Sequence, residues 1–320
     1  MSLKIENLTV YYRTIAGNVR ALEDANLSLA DGEIMGVAGE SGCGKSTLSN
    51  SLVYLHTPMK YIRGRAFLDG EELIIRDKEK MDLVRYKKIS VIPQFAMNAL
   101  NPTRKLGVMI KDLLESRGEN FDKVLPELNN RLEMVKLSTD VLKMYPFELS
   151  GGMKQRMVMV ISTLLNPSLL LADEVTSALD VSSQKAVAEM LVSFRDQKIV
   201  KSMMVITHDI SILYQIANSI LVMYAGQLVE KASTETIINS PKHPYTKLLI
   251  QSLPSVGVRF NENRLAGIPG NPPVLLNPPT GCRFRDRCPV AFAKCVEAPP
   301  FVEVEKGHFL ACWKEGKPHA

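Results

Sequence analysis

Nine consecutive residues, Gly39-Glu40-Ser41-Gly42-Cys43-Gly44-Lys45-Ser46-Thr47, restrict what this chain can fold into more than any other stretch. They fit the pattern G-x-x-x-x-G-K-[ST]. An apolar run, Ile34 to Ala38, leads in like a buried strand, and Thr47 to Val53 leads out like the first turns of a helix. Glycines at this spacing let the backbone curl until several N–H groups aim at one anion, and the helix start adds partial positive charge. Lys45 can then reach the β- and γ-phosphates of a nucleotide, and the Ser46 hydroxyl can ligate Mg²⁺. A Gly-rich turn without a ligand is the plain alternative; the full pattern, set between a strand and a helix, speaks against it.

The rest of the chain organises around that loop. Residues 3–12 alternate apolar and polar, and Val19, Leu22, Leu27 and Leu29 continue in the same manner, so two early strands are expected. Residues 61–75 read as a further strand pair around a tight Asp69-Gly70 turn. Ile89 to Ile92 is a short buried strand stopped by Pro93. Between residues 104 and 145 the apolar positions follow a helical period, which predicts a mostly helical insert. Continuous apolar runs return at 169–172 and 203–206, as in a sheet buried on both faces. Strands alternating with helices predict an α/β fold. From about residue 233 the composition changes, and Pro269, Pro272, Pro273, Pro278 and Pro279 stiffen a connector.

Two further strings carry chemistry. Leu169-Leu170-Leu171-Ala172-Asp173-Glu174 is an apolar strand ending in two carboxylates. The first can hold Mg²⁺, through water, and the second can polarise a water for attack on a γ-phosphate. Leu149-Ser150-Gly151-Gly152-Met153-Lys154-Gln155-Arg156 opens a long helical stretch, so it offers a second helix start with bare amides. One nucleotide rarely needs two such starts from one chain; two nucleotides shared between two chains do. A simple Ser cap with a Gly turn is the alternative.

Taken together, the strings resemble the ATP-binding subunit of ABC transporters over residues 3–230. The family's order is an aromatic, a Walker A loop, a glutamine, an LSGGQ-type signature, a Walker B strand, a D-loop and a switch histidine. Tyr12, residues 39–47, Gln94, residues 149–156, Asp173-Glu174, Ser177-Ala178-Leu179-Asp180 and His208 follow that order here. The resemblance implies that Tyr12 stacks on adenine, with neighbouring Tyr11 as its rival. Gly39, Ser41, Gly42, Cys43, Gly44, Lys45, Ser46 and Thr47 would surround the phosphates. Mg²⁺ would be held through Ser46, Gln94 and Asp173. Gln94 would also couple the site to the helical insert, Glu174 would be the general base, and His208 would contact the γ-phosphate. Ser150, Gly151 and Gly152 would hold ATP bound to a partner subunit, and Asp180 would link the two sites. Met153 stands where glutamine is commonest and Val175 where proline is usual; neither departure removes a ligand.

The implied fold class is a P-loop α/β ABC ATPase with an N-terminal antiparallel β subdomain, a helical signature subdomain and a small Cys-containing C-terminal extension. The nucleotide-binding domain is expected over residues 1–232, with its helical part at about 96–157, and the extension over 233–320.

That extension holds four of the five cysteines. Cys282, Cys288, Cys295 and Cys312 leave five, six and sixteen residues between successive members. Four thiolates close together in a reducing compartment suggest a metal or cluster, although the C-x₂₋₄-C pairs frequent in zinc sites are absent. The segments Ser240 to Leu249, Ile268-Pro269-Gly270 and Gly281-Cys282-Arg283-Phe284 are similar to the C-terminal extension of oligopeptide/dipeptide-permease ATPases. That resemblance implies a structural [4Fe–4S] cluster at the four cysteines, with zinc or no metal as alternatives.

The expected activity is therefore ATP hydrolysis powering an importer of di- or oligopeptides, with oligosaccharides or nickel as alternative cargo. The partners implied are a second ABC ATPase subunit, in a homo- or heterodimer, two transmembrane permease subunits and an extracellular solute-binding protein. A soluble ABC ATPase acting on nucleic acid is the competing class. The single phosphate loop and the lack of heptads argue against it, while the four late cysteines, by analogy with zinc modules, argue for it; no nucleic acid is expected. A regulator that binds ATP without turnover would lack Glu174 or His208. No run reaches the ~18 apolar residues of a membrane span, and Met1 to Glu6 lacks a signal-peptide core, so the expected place is peripheral, on the cytoplasmic face of the cell membrane.

Overall fold

The computed structural model describes residues 1–94, 99–177, 179–253 and 267–315. The start of the expected helical part, at residue 96, and Ala178 of the D-loop string lie outside the described residues.

The chain begins with strands β1 (Leu3–Thr14) and β2 (Gly17–Leu29), then β3 (Ile34–Ala38) and helix α1 (Lys45–Ser51). β4 (Met59–Leu68), β5 (Glu71–Glu72), α2 (Lys78–Val84) and β6 (Ile89–Ile92) follow. The insert supplies α3 (Leu106–Ser116), α4 (Phe121–Met134) and α5 (Gly151–Thr163). Alternation resumes with β7 (Leu169–Asp173), α6 (Val181–Asp196), β8 (Ser202–Ile206), α7 (Ile210–Ile216), β9 (Ser219–Tyr224) and β10 (Gln227–Ser233). Last come α8 (Thr234–Asn239), α9 (Pro244–Gln251), β11 (Val302–Glu305) and β12 (His308–Leu310).

Four strands make an antiparallel sheet in the order β2-β1-β4-β5. The Asp69-Gly70 turn joining β4 to β5 has φ values of 51° and 85°. Two positive φ angles are what a type I′ hairpin turn requires, which explains the Asp-Gly pair. The larger sheet has the order β11-β12-β10-β9-β3-β8-β7-β6, parallel from β9 to β6 and antiparallel from β9 to β11.

The parallel strands β3, β7, β8 and β9 are buried along their whole length. Side chains on a strand alternate faces, so the sheet divides two cores. Ile34, Leu170, Met203 and Ile220 face the helices and the insert. Met35, Leu171, Met204 and Leu221 face the antiparallel sheet. One register slip in any of these strands would exchange the two sets.

The extension joins the same sheet. β12 pairs with β10, and β11 with β12, so the sheet runs on across the composition change near residue 233. A buried carboxylate fastens the junction. Glu230, fully buried on β10, accepts hydrogen bonds from the Lys242 and His243 N–H groups at 2.7 and 3.1 Å and lies 2.8 Å from His308 Nε2. Burial alone would raise this carboxyl, but the hydrogen bonds from His308 and the backbone outweigh it and hold it below the usual range. His243 in turn caps α9, its Nδ1 accepting from the Tyr245 N–H at 3.0 Å, and burial pushes it down to about 4, so it stays neutral.

Candidate functional site

The phosphate-loop string forms a tight turn between β3 and α1. Gly39 has φ 146° and Gly44 φ 108°. A Cβ at Gly39 would stand 2.2 Å from the Met223 carbonyl oxygen, and one at Gly44 2.2 Å from that of Ala21. Both positions therefore demand glycine twice, by dihedral and by close approach. The Lys45 ammonium folds back over the loop, donating to the carbonyls of Gly39 at 2.7 Å and Glu40 at 3.0 Å. Cys43 is buried beneath it, and that burial pushes its thiol up. Ser41 and Ser46 are exposed, whereas Thr47 is buried.

The two candidate aromatics separate clearly. Tyr11 donates its hydroxyl to Glu23 at 2.7 Å, away from the loop. The Tyr12 hydroxyl lies 3.3 Å from Thr47 Oγ1, at the base of the loop. Of the two, Tyr12 is the one beside the expected nucleotide.

Sheet order assembles the rest. The neighbours β3, β8, β7 and β6 run parallel, so their C-terminal ends lie in one row. Ligands of such sheets bind outside those ends. Reading along the row, the ends deliver the phosphate loop, His208, Asp173 with Glu174, and Gln94. Gln94 is exposed, in the turn after β6.

Asp173 is 6% exposed, and its Oδ1 has no hydrogen-bond partner among the described residues. Burial raises its carboxyl and the Glu174 charge adds to that, while the Ser46 hydroxyl and Lys45 pull the other way. An orphaned carboxylate oxygen beside a serine hydroxyl is a pair of hard donors, which fits Mg²⁺. Glu174 has φ 50°, a conformation rare outside glycine, and the turn it makes leads the chain off β7. Its Oε2 accepts from the Ser177 hydroxyl at 2.7 Å and lies 3.5 Å from His208 Nδ1. The residues expected to act as base and as γ-phosphate contact are thus neighbours, although 34 positions separate them.

Ser150 caps α5, its Oγ accepting from the Met153 N–H at 3.3 Å. Among the described residues no hydrogen bond joins Ser150, Gly151 or Gly152 to residues 39–47. Among the described residues a Cβ at Gly152 would meet nothing within 4 Å, so no described packing calls for glycine there. The Met153 side chain packs against the core, which explains why it tolerates the place of a glutamine. Val175 is likewise buried in that core. Asp180 serves as the N-cap of α6, its Oδ1 accepting from the Ser183 N–H at 3.0 Å.

One residue of the site escaped the sequence reading. Gln155 is 3% exposed and donates from Nε2 to the Val175 carbonyl at 2.8 Å. It ties the signature helix to the turn that carries Glu174. A glutamine between Lys154 and Arg156 reads as a solvated face, and only its burial reveals the contact.

The four C-terminal thiols are free, as is Cys43. Cys282, Cys288, Cys295 and Cys312 line one cavity of about 20 Å³, together with Phe284 and Trp313. Burial pushes the Cys282 thiol up to about 11, and the three other thiols add to that. The expected metal centre is not supported directly. Among the described residues no group of three or more His, Cys, Asp or Glu side chains is placed to hold a metal ion. No described helix is long and apolar enough to cross a membrane.

Known proteins resemble this chain over almost its whole length. Residues 22–177 match the family described as ABC transporter, and residues 229–295 match the one described as oligopeptide/dipeptide transporter, C-terminal region. The dipeptide transport ATP-binding protein DppD of Caldanaerobacter subterraneus is 35% identical, over 99% of this chain and 98% of its own. The oligopeptide transport ATP-binding protein OppD of Escherichia coli is 36% identical, over 98% and 93%. Among solved structures, the dimeric ABC transporter cassette MJ0796 superposes with a TM-score of 0.63 at 25% identity, covering 72% of this chain and 98% of that one. Its post-hydrolysis dimer bound to ADP and Pi gives 0.62 at 26% identity, with the same coverage.

Proposed function

This chain belongs to the ATP-binding proteins of ABC transporters, in the oligopeptide/dipeptide group, and on that premise we propose that it forms one half of a nucleotide sandwich whose closing and opening drives import. Its activity is the hydrolysis of ATP to power a peptide importer. The observation that carries the site assignment is the row of strand ends: His208 and Glu174 meet at 3.5 Å beside the loop that holds Lys45.

Roles follow from that row. Lys45 and the loop amides hold the phosphates, and Tyr12 takes the adenine face. Glu174 Oε2 is occupied by Ser177 and His208, which leaves Oε1 to accept the proton of the attacking water. His208 both orients that carboxylate and reaches the γ-phosphate. Ser46, Gln94 and Asp173 would hold Mg²⁺, which would neutralise phosphate charge. Ser150, Gly151 and Gly152 face a partner subunit, consistent with the open space at Gly152. ATP then joins helix starts of two subunits, so closure tracks the bound triphosphate and phosphate release undoes it. Asp180, at the exposed start of α6, links the two sites.

The second ATPase subunit, two permease subunits and a solute-binding protein complete the machine, which would hold this chain at the cytoplasmic membrane face. An apolar cavity of about 420 Å³, lined by Val53, Tyr86, Pro93, Leu100, Met109 and Ile110, opens beside Gln94 and the insert. It supports a reading in which the insert passes the stroke to the permease. Reconstitution in vesicles tests the cargo. Peptide-loaded binding protein should stimulate ATP hydrolysis and peptide accumulation; stimulation by an oligosaccharide or nickel alone would reject peptide as substrate.

We also assign Cys282, Cys288, Cys295 and Cys312 to a [4Fe–4S] cluster. Four soft donors lining one cavity support this reading, since a cluster takes one thiolate per iron. Anaerobically purified protein should be brown and contain iron and sulfide, and Cys288→Ser should lose both. Colourless parent protein with blank iron assays would overturn the assignment.

A further inference from the structure

The extension touches the nucleotide site directly, at a residue the motif leaves free. Glu40 is the first variable position of the phosphate loop. Its carboxylate is held in a two-pronged ion pair by Arg287, with contacts of 2.7 and 3.0 Å. Its backbone N–H donates to the Tyr245 hydroxyl at 2.9 Å. Its carbonyl receives the Lys45 ammonium. Glu40 is thus gripped at three points, two of them from the extension and the third from the phosphate-binding lysine.

Both extension residues are themselves fixed. The Arg287 side chain is 6% exposed, and its guanidinium also donates to the carbonyls of Pro269 and Ile268, at 2.7 and 3.1 Å. It lies 3.2 Å from the Tyr224 hydroxyl. Tyr245 is fully buried, its ring packed 4.6 Å from Tyr224 and 5.3 Å from Phe284 between centroids. A rigid fork on a carboxylate specifies geometry as well as charge.

We propose that Arg287 and Tyr245 are positioning residues for ATP: they hold the phosphate loop in its binding shape, so that docking of the extension sets nucleotide affinity. This rests on the reading of residues 39–47 as the ATP site. The physical reason is preorganisation. A short loop whose amides must converge on one anion loses conformational freedom on binding. A loop already anchored has lost part of that freedom beforehand, and the ligand binds more tightly by the difference. Arg287 immediately precedes Cys288, so the anchor sits one residue from the thiol cavity.

The test is equilibrium binding of a fluorescent ATP analogue to the full chain with Mg²⁺, alongside steady-state hydrolysis by the transporter complex. Tyr245→Phe keeps the buried ring and deletes one hydrogen bond, so Kd and KM should rise about five-fold. Arg287→Lys keeps the charge and loses the fork, and the rise should be about ten-fold. In both, kcat at saturating ATP should stay within about two-fold of the parent, because the reacting groups are untouched. Glu40→Gln combined with Arg287→Lys should bind no worse than Glu40→Gln alone, since both act through one contact. Lys242→Met, which removes an extension ion pair with Glu305, should leave Kd unchanged. Unchanged Kd in Tyr245→Phe and Arg287→Lys, or a loss confined to kcat, overturns the proposal. Tyr245→Phe decides if Arg287→Lys does not fold. Failure of the parent chain to bind the analogue would instead reject the ATP-site reading.

Discussion

Glu174→Gln is expected to stop turnover while leaving ATP bound. The substitution is nearly isosteric, and an amide oxygen can still accept from the Ser177 hydroxyl that now holds Oε2 at 2.7 Å. What disappears is the ability to take a proton from water. General-base catalysis contributes about 10²–10⁴-fold, so kcat should fall by that factor or more. Affinity for ATP should change little, because Lys45, the loop amides and Tyr12 are intact. With binding retained and hydrolysis blocked, the closed pair should accumulate. Phosphate release, ligand binding and size-exclusion chromatography in excess MgATP, alone and mixed with the cognate second subunit, measure the three parts separately. Normal hydrolysis would reject Glu174 as the base. A variant that binds ATP yet never dimerises would reject the sandwich.

Lys45→Ala should do the opposite and remove binding itself. The ammonium is 8% exposed, held over the loop by the carbonyls of Gly39 and Glu40. It is the one side-chain cation in the loop, and phosphate oxygens are the strongest partners it can meet. Loss of about 3 kcal/mol corresponds to about 100-fold in Kd. The thermal shift reads the same quantity. At ATP 100-fold above its Kd the parent gains about 2.7 kcal/mol of stability, and at that concentration the variant should gain only a few tenths. The melting temperature without nucleotide serves as the folding control. Undiminished ATP stabilisation in Lys45→Ala would place the nucleotide elsewhere. The two variants together separate holding the substrate from cleaving it.

Much of this site was legible as strings. The phosphate loop, the Asp173-Glu174 pair and the Ser150-Gly151-Gly152 helix start each consist of adjacent residues, because consecutive amides or strand-end carboxylates must act side by side. The strands β3, β7 and β8 were visible as short apolar runs for an equally local reason, burial on both faces. The helical insert followed from its period. Other features had no local signature. Tyr11 and Tyr12 are equivalent by composition, and only their partners, Glu23 for Tyr11 and Thr47 for Tyr12, separate them. Gln155 looks solvated until its burial is known. The strands β11 and β12, of four and three residues, are too short for a period to mark them.

By itself the amino-acid order determined which groups this protein has for chemistry: a glycine-rich loop ending in Lys45 and Ser46, a pair of strand-end carboxylates, a second glycine-flanked helix start and four late thiols. Tertiary structure alone decided which of these meet. His208 reaches Glu174 because β8 lies beside β7, and Asp173 reaches Ser46 because its strand ends in the same row as β3. Arg287 reaches Glu40 across 247 positions because the extension adds its strands to the sheet and packs α9 against the loop. Dihedral preference and side-chain period act within a few residues and are written locally. Strand order and docking arise from matching buried faces far apart in the chain, which no local pattern encodes.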